Sequence, residues 1–426
     1  MTGILDQLTD AMNAAAGTVR AEELRPLRAP ERRRRQPAWA APVAAAAAVV
    51  LVIGLAVSVS NGLFRTRSST GPAHLPAAPH RFYLSTDIAS WRTVVRSTAT
   101  GKVVAAVPVR PVEAGGQVSP VLAAAGNGMF YLAAFVHGTP GEQIYRFRLT
   151  AAGHVTGFAQ VPGGSLQPGW VADALAASPD GSLVAAGAYY DHLHHISGQV
   201  YKTPQRSDQL VVIHTATGKQ SIWRGGSPAG GYPYFRVASL SWTADPHELA
   251  VLGEWCRVAS DPGGEACPRG ERQAQVWAID PARNGGSVPG GRLLLRQSPR
   301  VPYLAQALIS PDGSVITALV LRGKVVGNSQ ISGYFPRGLS VERISVPAGR
   351  RLGVLYQRDL GDTSEVSGAI PDPLSLSADA TGQSLILIGG ICNRSCTNEF
   401  NGWLHAGQLV PLRPGGFAHR EVAETW

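Results

Sequence analysis

One aspartate and three histidines stand close together in the segment YYDHLHHISG (189–198). Asp191, His192, His194 and His195 are residue types that bind divalent metals, and the His-x-His spacing places two imidazoles on one side of an extended chain. Metal sites of this kind usually take a further ligand from elsewhere in the fold, and the sequence supplies no obvious one. We therefore expect a solvated loop that contributes to binding, with no bound metal.

The four cysteines form two close pairs, Cys256 with Cys267 and Cys392 with Cys396. Four cysteines allow three pairings, and proximity along the chain favours these two disulfides. The alternative is a metal site, because Cys392-x3-Cys396 has nearly the spacing of ligands. We favour disulfides, since zinc usually takes four ligands and the two pairs lie in different repeats.

The strands and turns that would position these residues belong to a phrase that occurs twice in the sequence. The phrase SPDGSLVAAG (178–187) returns as SPDGSVITAL (310–319). Proline fixes the first central position of a tight turn, aspartate bonds the backbone ahead of it, and glycine accepts a positive φ. Apolar runs flank both copies, so each predicts a β-hairpin. Looser copies start near Ser241 and Ser377, at spacings of 63, 69 and 67 residues along the series.

A second phrase recurs between these hairpins. TATGK occurs in RSTATGKVVAAVPV (96–109) and again in VVIHTATGKQSIWRG (211–225). One unit is therefore four strands, named a to d, with the Pro-Asp-Gly turn between a and b and the Thr-Gly-Lys turn between c and d. A repeated four-stranded unit predicts an all-β fold, a β-propeller, whose blades bury their faces against each other.

These motifs resemble those of the WD40-like propellers of the TolB type. Such propellers carry SPDG before an apolar strand and a D-x-x-T-G-K-like turn later in the blade. Positions 178–187, 310–319 and 214–219 carry the resemblance, which extends from about residue 80 to the C-terminus. It implies the fold and says little about function. The Trp-Asp pair of regulatory WD40 repeats is absent.

We predict six blades within residues 81–426. Blade 1 shows only three clear strands, and the tail FAHREVAETW would supply the missing one and close the ring. Seven blades are the alternative, if 390–426 contains another hairpin. The remaining blades are predicted at 118–161, 171–225, 236–297, 303–358 and 373–413.

A membrane anchor is predicted ahead of the propeller. Residues 38–60, AWAAPVAAAAAVVLVIGLAVSVS, carry no charge and are long enough, as a helix, to span a bilayer. The arginine-rich segment before it places residues 1–37 in the cytoplasm and the propeller outside the cell. A cleaved signal peptide is the alternative. Residues 61–80 are expected to be a flexible linker.

The cytoplasmic segment is predicted to begin with a short amphipathic helix at 3–25. This helix, the arginine run and the Ala/Val-rich anchor together resemble the layout of many actinobacterial membrane proteins, some anti-sigma factors among them. The resemblance implies a cytoplasmic regulator as a partner of residues 1–25.

Long b–c connections are expected at 191–208, 256–273, 322–340 and 390–400, all on one face of the ring. Loops of such length in a compact fold often carry function. The following residues are therefore candidates for ligand contact in these loops: Asp191, His192, His194, His195, Tyr334, Phe335 and Trp403.

Catalytic motifs are missing from the sequence. There is no G-x-S-x-G, no Walker loop and no H-E-x-x-H. The net charge of +9 is spread out, which does not indicate nucleic-acid binding. We therefore predict a non-catalytic module without a cofactor, which binds an envelope protein, peptide or glycan. A transmembrane signalling regulator is the alternative, and a propeller hydrolase or lyase is a second one.

Overall fold

The computed structural model describes the chain from residue 81 to residue 423, with gaps. The described ranges are 81–87, 92–109, 121–136, 139, 141–190, 208–226, 234–256, 272–297, 303–327, 332–346, 348–360, 370–371, 375–379, 384–393, 395–405, 407–411 and 421–423. The predicted helix at 3–25, the predicted membrane span at 38–60 and the linker at 61–80 lie outside these ranges. None of the described residues belongs to a helix that is long and apolar enough to cross a membrane.

The described residues form six sheets, antiparallel except for one pair of two residues, and these are the six predicted blades. Blade 1 contains β1 (Phe82–Asp87), β2 (Arg92–Ser97) and β3 (Val103–Ala106). Blade 2 contains β4 (Val121–Ala124), β5 (Met129–Ala134), β6 (Gln143–Leu149) and β7 (Val155–Ser165). Blade 3 contains β8 (Trp170–Ala177), β9 (Leu183–Tyr190), β10 (Gln209–His214) and β11 (Gln220–Arg224).

The second half of the ring repeats this plan. Blade 4 contains β12 (Tyr234–Trp242), β13 (Leu249–Cys256), β14 (Arg272–Ile279) and β16 (Arg292–Arg296). Blade 5 contains β17 (Leu304–Ile309), β18 (Val315–Gly327), β19 (Ser332–Ser345) and β20 (Arg351–Asp359). Blade 6 contains β21 (Ile370–Pro371), β22 (Ser375–Ala378), β23 (Leu385–Asn393), β24 (Ser395–His405) and β25 (Gln408–Pro411).

The ring is closed by the C-terminal tail, as the sequence predicts. Strand β26 (Glu421–Ala423) pairs antiparallel with β1, so it takes the place of strand a in blade 1. It also contacts β23 of blade 6. The segment 390–426 therefore completes blade 6 and closes blade 1, and the alternative of a seventh blade is wrong for the described residues.

The repeated SPDG phrase has the same hydrogen bonds in both copies. Gly181 N donates to Ser178 O over 2.8 Å, which closes the turn, and Gly181 has φ +71°. Asp180 Oδ1 accepts from the Ser178 hydroxyl at 2.6 Å and from the Ser182 amide at 3.0 Å. The copy at residues 310–314 repeats each of these bonds around Asp312. The phrase recurs because each residue type performs one step of this local network.

The Thr-Gly-Lys phrase also keeps its geometry between blades. Gly101 N donates to Ser97 O over 2.7 Å, and Gly218 N donates to His214 O over 2.8 Å. Both glycines have positive φ, 68° and 73°, which an L-residue with a side chain adopts only with strain. Both copies form the predicted c–d turn.

Apolar side chains from neighbouring blades fill the seams between them. Five hydrophobic clusters join blades 1 and 2, 2 and 3, 3 and 4, 4 and 5, and 5 and 6. Trp255, Phe147 and Leu132 are fully buried in them. Burying a side chain of this size contributes about 1.5–3 kcal/mol, so seam packing is the main stabilising term.

Blade 4 also supports its neighbour through the segment that links β14 to β16. Strand β15 (Gly286–Ser287) leaves blade 4 and pairs in parallel with β11 of blade 3. A short 3-10 turn, Val288–Gly290, follows it, and Val288 is fully buried. This exchange between adjacent sheets was not predicted, because it depends on a pairing of only two residues.

Removing the closing strand should weaken the ring. Deleting residues 421–426 removes three backbone pairs from β1, and at roughly 1 kcal/mol per lost hydrogen bond the free energy of unfolding should fall by about 2–3 kcal/mol. Deleting 424–426 leaves β26 in place and serves as the control. Urea unfolding monitored by tryptophan fluorescence would measure the difference. Equal midpoints for the two deletions would contradict closure by β26.

The SPDG carboxylates should stabilise the fold in a pH-dependent way. Burial raises the pKa of Asp180, but the hydroxyl of Ser178 and the amide and hydroxyl of Ser182 outweigh it and lower the pKa. The hydroxyls of Ser310 and Ser314 lower the pKa of Asp312. A carboxyl whose pKa is lowered by folding stabilises the protein at pH values above its ordinary pKa. This stabilisation is lost as the pH falls through the lowered pKa.

We expect Asp180→Ala to lower the free energy of unfolding at neutral pH by about 1 kcal/mol, and to differ less from the native protein at about pH 3. Asp180→Asn keeps an acceptor for the Ser182 amide and is the control with the smaller loss. Denaturant titrations at the two pH values test this. A cost of Asp180→Ala that does not change with pH would argue against the hydrogen-bonded carboxylate.

Candidate binding face

The two ends of the ring differ in their connections. The a–b and c–d turns share one end, the turn face: Thr215 Oγ1 donates to Gly181 O at 2.9 Å, and Val346 N donates to Ser314 O at 2.8 Å. Because the strands are antiparallel, the b–c and d–a connections emerge at the opposite end, the b–c face.

The turn face is occupied by hydrogen bonds between blades. Asn127 Nδ2 donates to Asp180 O at 2.7 Å, joining blades 2 and 3. Ala244 N donates to Pro311 O at 2.7 Å, joining blades 4 and 5. Short turns that bond each other in this way hold neighbouring blades together.

Two buried carboxylates lie towards the b–c face, immediately before strand c of blades 2 and 3. Glu142 Oε2 accepts the Ala172 amide at 2.5 Å, and Asp208 Oδ2 accepts the Val237 amide at 2.9 Å. In both cases the amide belongs to strand a of the next blade. Both carboxylates are almost fully buried, so each replaces water for an amide that the neighbouring sheet leaves unpaired.

Strand registers show that Glu142 and Asp208 occupy equivalent positions. Each is followed by a glutamine that begins strand c, in the phrases GEQIYRF and SDQLVVI. Neither residue was predicted from the sequence. The acid-glutamine pair recurs less regularly than the turn phrases, and the amide that each acid binds belongs to another blade.

Glu142 is in an unusual electrostatic environment. Burial raises its pKa to about 8, the Ala172 amide opposes this, and the nearby Asp173 raises it further. Its Oε1 atom has no hydrogen-bond partner among the residues that the structure describes. At neutral pH the group is therefore mostly protonated, and it serves as a neutral acceptor in the seam between blades 2 and 3.

The inner strands surround a cavity of about 230 Å³ at the centre of the ring. Its wall is formed by small side chains of strand a from blades 2 to 6, such as Ala124, Ala176 and Ser377. Asp173 lies at a β-bulge in β8, and its Oδ2 is 3.5 Å from Arg236 Nε on β12. Asp173 is the member of this pair that lines the cavity.

Blade 5 extends much further at the b–c face than the sequence indicates. Residues 322–340 were expected to form a loop, but β18 continues to Gly327 and β19 begins at Ser332, so most of the segment is a two-stranded ribbon. Its β-branched and aromatic residues suit a ladder. Their pairing partners lie across a turn and could not be assigned from local sequence.

Tyr334 and Phe335 therefore lie in β19, where their Cα partners are Val325 and Lys324. A buried carboxylate that is paired with two partly exposed arginines anchors the ribbon where it leaves the blade. The fully buried Glu342 is 2.6 Å from Arg322 Nη2 and 3.0 Å from Arg351 Nε, and it accepts the Ser340 hydroxyl at 2.7 Å. A buried carboxylate is tolerated when charge and hydrogen bonds surround it in this way.

The other candidate residues are placed as follows. Trp403 lies within β24, not in a loop, and its ring is 4.7 Å from that of His405. Cys392 and Cys396 lie on β23 and β24, on opposite sides of one hairpin turn, and Cys256 ends β13. Cys267, Asp191, His192, His194 and His195 lie outside the described residues, so both disulfides remain predictions. Within the ranges that are described, no group of three or more potential ligands could hold a metal.

Comparison with known proteins gives likenesses of fold at low identity. No protein-family model matches the sequence, and no curated protein is significantly similar to it. The structure is similar to TolB from Acinetobacter baumannii, with 13% identity, a TM-score of 0.40, and 81% of this chain and 66% of that chain covered. It is also similar to the β-propeller domain of Cps50 (Swd1) from Myceliophteria thermophila, with 10% identity, a TM-score of 0.40 and coverage of 83% and 92%.

A mutant of puromycin hydrolase is a third similar structure, with 14% identity and a TM-score of 0.33. The match covers 70% of this chain and 35% of that chain. Likenesses at these scores carry no argument about activity. The assignment as a six-bladed propeller rests on the sheets themselves.

The raised pKa of Glu142 predicts a stability that falls as the pH rises. A group whose pKa is raised by folding stabilises the protein most at pH values below its ordinary pKa. For Glu142 this stabilisation is lost progressively as the pH rises to about 8. Within this window the slope should approach about 1.4 kcal/mol per pH unit. Glu142→Gln keeps an acceptor for the Ala172 amide and cannot ionise.

We therefore expect the native protein to lose stability relative to Glu142→Gln between about pH 5 and about pH 8. Glu142→Ala is the control that loses the Ala172 bond at every pH. Urea midpoints across this range provide the measurement. Parallel pH profiles for the native protein and Glu142→Gln would show that Glu142 is not the titrating group.

Proposed function

We propose that this protein is a non-catalytic binding module of the cell envelope, which presents the b–c face of its propeller to a protein, peptide or glycan. One observation carries the proposal: the two faces of the ring are built differently. The turn face is formed by short turns, and bonds between a–b turns join blades 2 and 3 and blades 4 and 5. At the b–c face, blade 5 extends an anchored ribbon, and long connections follow β9 and β13.

The buried carboxylates support a binding role over a catalytic one. Glu142 and Asp208 each hold a backbone amide of the neighbouring blade. Carboxylates that accept backbone amides in this way stabilise the ring. A general acid or base would instead need access to a substrate.

The sequence supports membrane attachment as part of the same proposal. The uncharged stretch 38–60 would act as an anchor, with the arginine-rich segment before it in the cytoplasm. The propeller would then lie outside the cell, where the two expected disulfides persist.

Site-directed photo-crosslinking would test which face binds. A benzophenone amino acid is placed at Tyr334 on the b–c face or at Thr217 on the turn face, in the full chain within the envelope of cells that produce it. We expect discrete crosslinked products from position 334 and none from position 217. Products from position 217 alone, or from neither position, would contradict the proposal.

A further inference from the structure

The ribbon of blade 5 has an inner strand edge on which the described part of the chain places no further strand. Strand β17 pairs with β18 only as far as Val320, with one more bond from Leu321 N to Tyr303 O at 2.9 Å. Strand β18 then runs on to Gly327, five residues beyond Arg322 and about 16 Å at the usual rise per residue. No described strand pairs with that edge of β18 beyond Leu321.

The alternation of the strand identifies the backbone groups on this edge. Leu321 N points towards β17, so Gly323, Val325 and Gly327 direct their N–H and C=O groups to the same side. At the register shift between β18 and β19 the extra residue is Arg337 of β19. Successive backbone groups of β18 therefore still point alternately to the two sides. Three residues therefore present pairing groups in a row.

The opposite edge of the ribbon is less suited to pairing. Strand β20 pairs with β19 only as far as Gly338, with one more bond from Leu360 N to Arg337 O at 2.8 Å, so this edge too extends beyond its described neighbour. Pro336 pairs with Gly323, so its backbone nitrogen faces the outer side of β19. Because proline has no N–H, it offers no donor on that edge. Proline is a common means of blocking an edge strand. The inner edge has glycine at two of its three positions, and glycine lets a second backbone approach closely.

The charge of the segment indicates what kind of chain fits this edge. Residues 322–342 include three cations, Arg322, Lys324 and Arg337, and one acid, Glu342, which pairs with Arg322. Three positive charges and one negative charge leave the segment with a net formal charge of +2. A strand that pairs with β18 would run beside this positively charged segment. An acidic partner segment is therefore favoured over a basic one.

We propose that the b–c face binds an extended, acidic segment of a partner protein by strand addition to the inner edge of β18. The added strand continues the line of β17 above the channel and pairs with Gly323, Val325 and Gly327. Main-chain hydrogen bonds provide the affinity, and alternate side chains provide the specificity. This inference rests on the proposed function and names the partner class for the same face.

Proline substitutions on the two edges of the ribbon test the proposal. Val325→Pro removes an N–H from the inner edge, and Ser332→Pro removes one from the outer edge, so neither breaks the ladder within the ribbon. The probes are short synthetic peptides in which Glu alternates with Val or Thr, the same peptides with Lys for Glu, and the acidic peptides with alternate backbone nitrogens methylated. Fluorescence anisotropy with the full chain in nanodiscs gives the Kd, and urea midpoints show that both variants are folded.

The acidic peptides should bind, and Val325→Pro should raise their Kd by about tenfold while Ser332→Pro changes it little. The lysine peptides and the methylated peptides should not bind. Equal effects of the two prolines, equal binding of acidic and basic peptides, or no binding by any acidic peptide would overturn the proposal. If crosslinking from position 334 persists unchanged in Val325→Pro, strand addition fails but the binding module stands. If crosslinking is absent throughout, the proposed function itself fails.

Discussion

Burial of both faces of each sheet is the constraint on which the rest of the structure depends. In β10, Leu210 and Val212 pack into the seam with blade 4, while Val211 and Ile213 pack into the seam with blade 2. In β18, Val320 and Leu319 divide in the same way between blades 4 and 6. A sheet that is apolar on both faces needs a neighbour on each side, and a closed ring provides this for every blade.

Closure divides the molecule into two ends with different roles. One end carries tight turns that bond each other, and the connections at the other end vary in length between blades. The buried acids Glu142 and Asp208 show how the second end is still held firmly, since each satisfies an amide of the next blade. The ribbon of blade 5 then extends from a rigid base in which Glu342 is paired with two arginines.

The sequence predicted those features that are specified locally. The SPDG turns, the Thr-Gly-Lys turns and the number of blades follow from residue types with fixed backbone preferences, and the closing role of the tail follows from the strand that blade 1 lacks. The extension of β18 and the placement of Trp403 within β24 could not be predicted, because they depend on cross-strand pairing. The roles of Glu142 and Asp208 depend on contacts between blades, and single-sequence periodicity contains no information on them.

Hydrogen exchange of the backbone amides tests the closed ring most directly. If six sheets pack as one ring, the amides of β1 and β2 should exchange as slowly as those of β9, β13 and β18 within its blade, since all then open only on global unfolding. Faster exchange of blade 1 as a separate unit, with the other blades still protected, would show that β26 does not close the ring and would contradict this account.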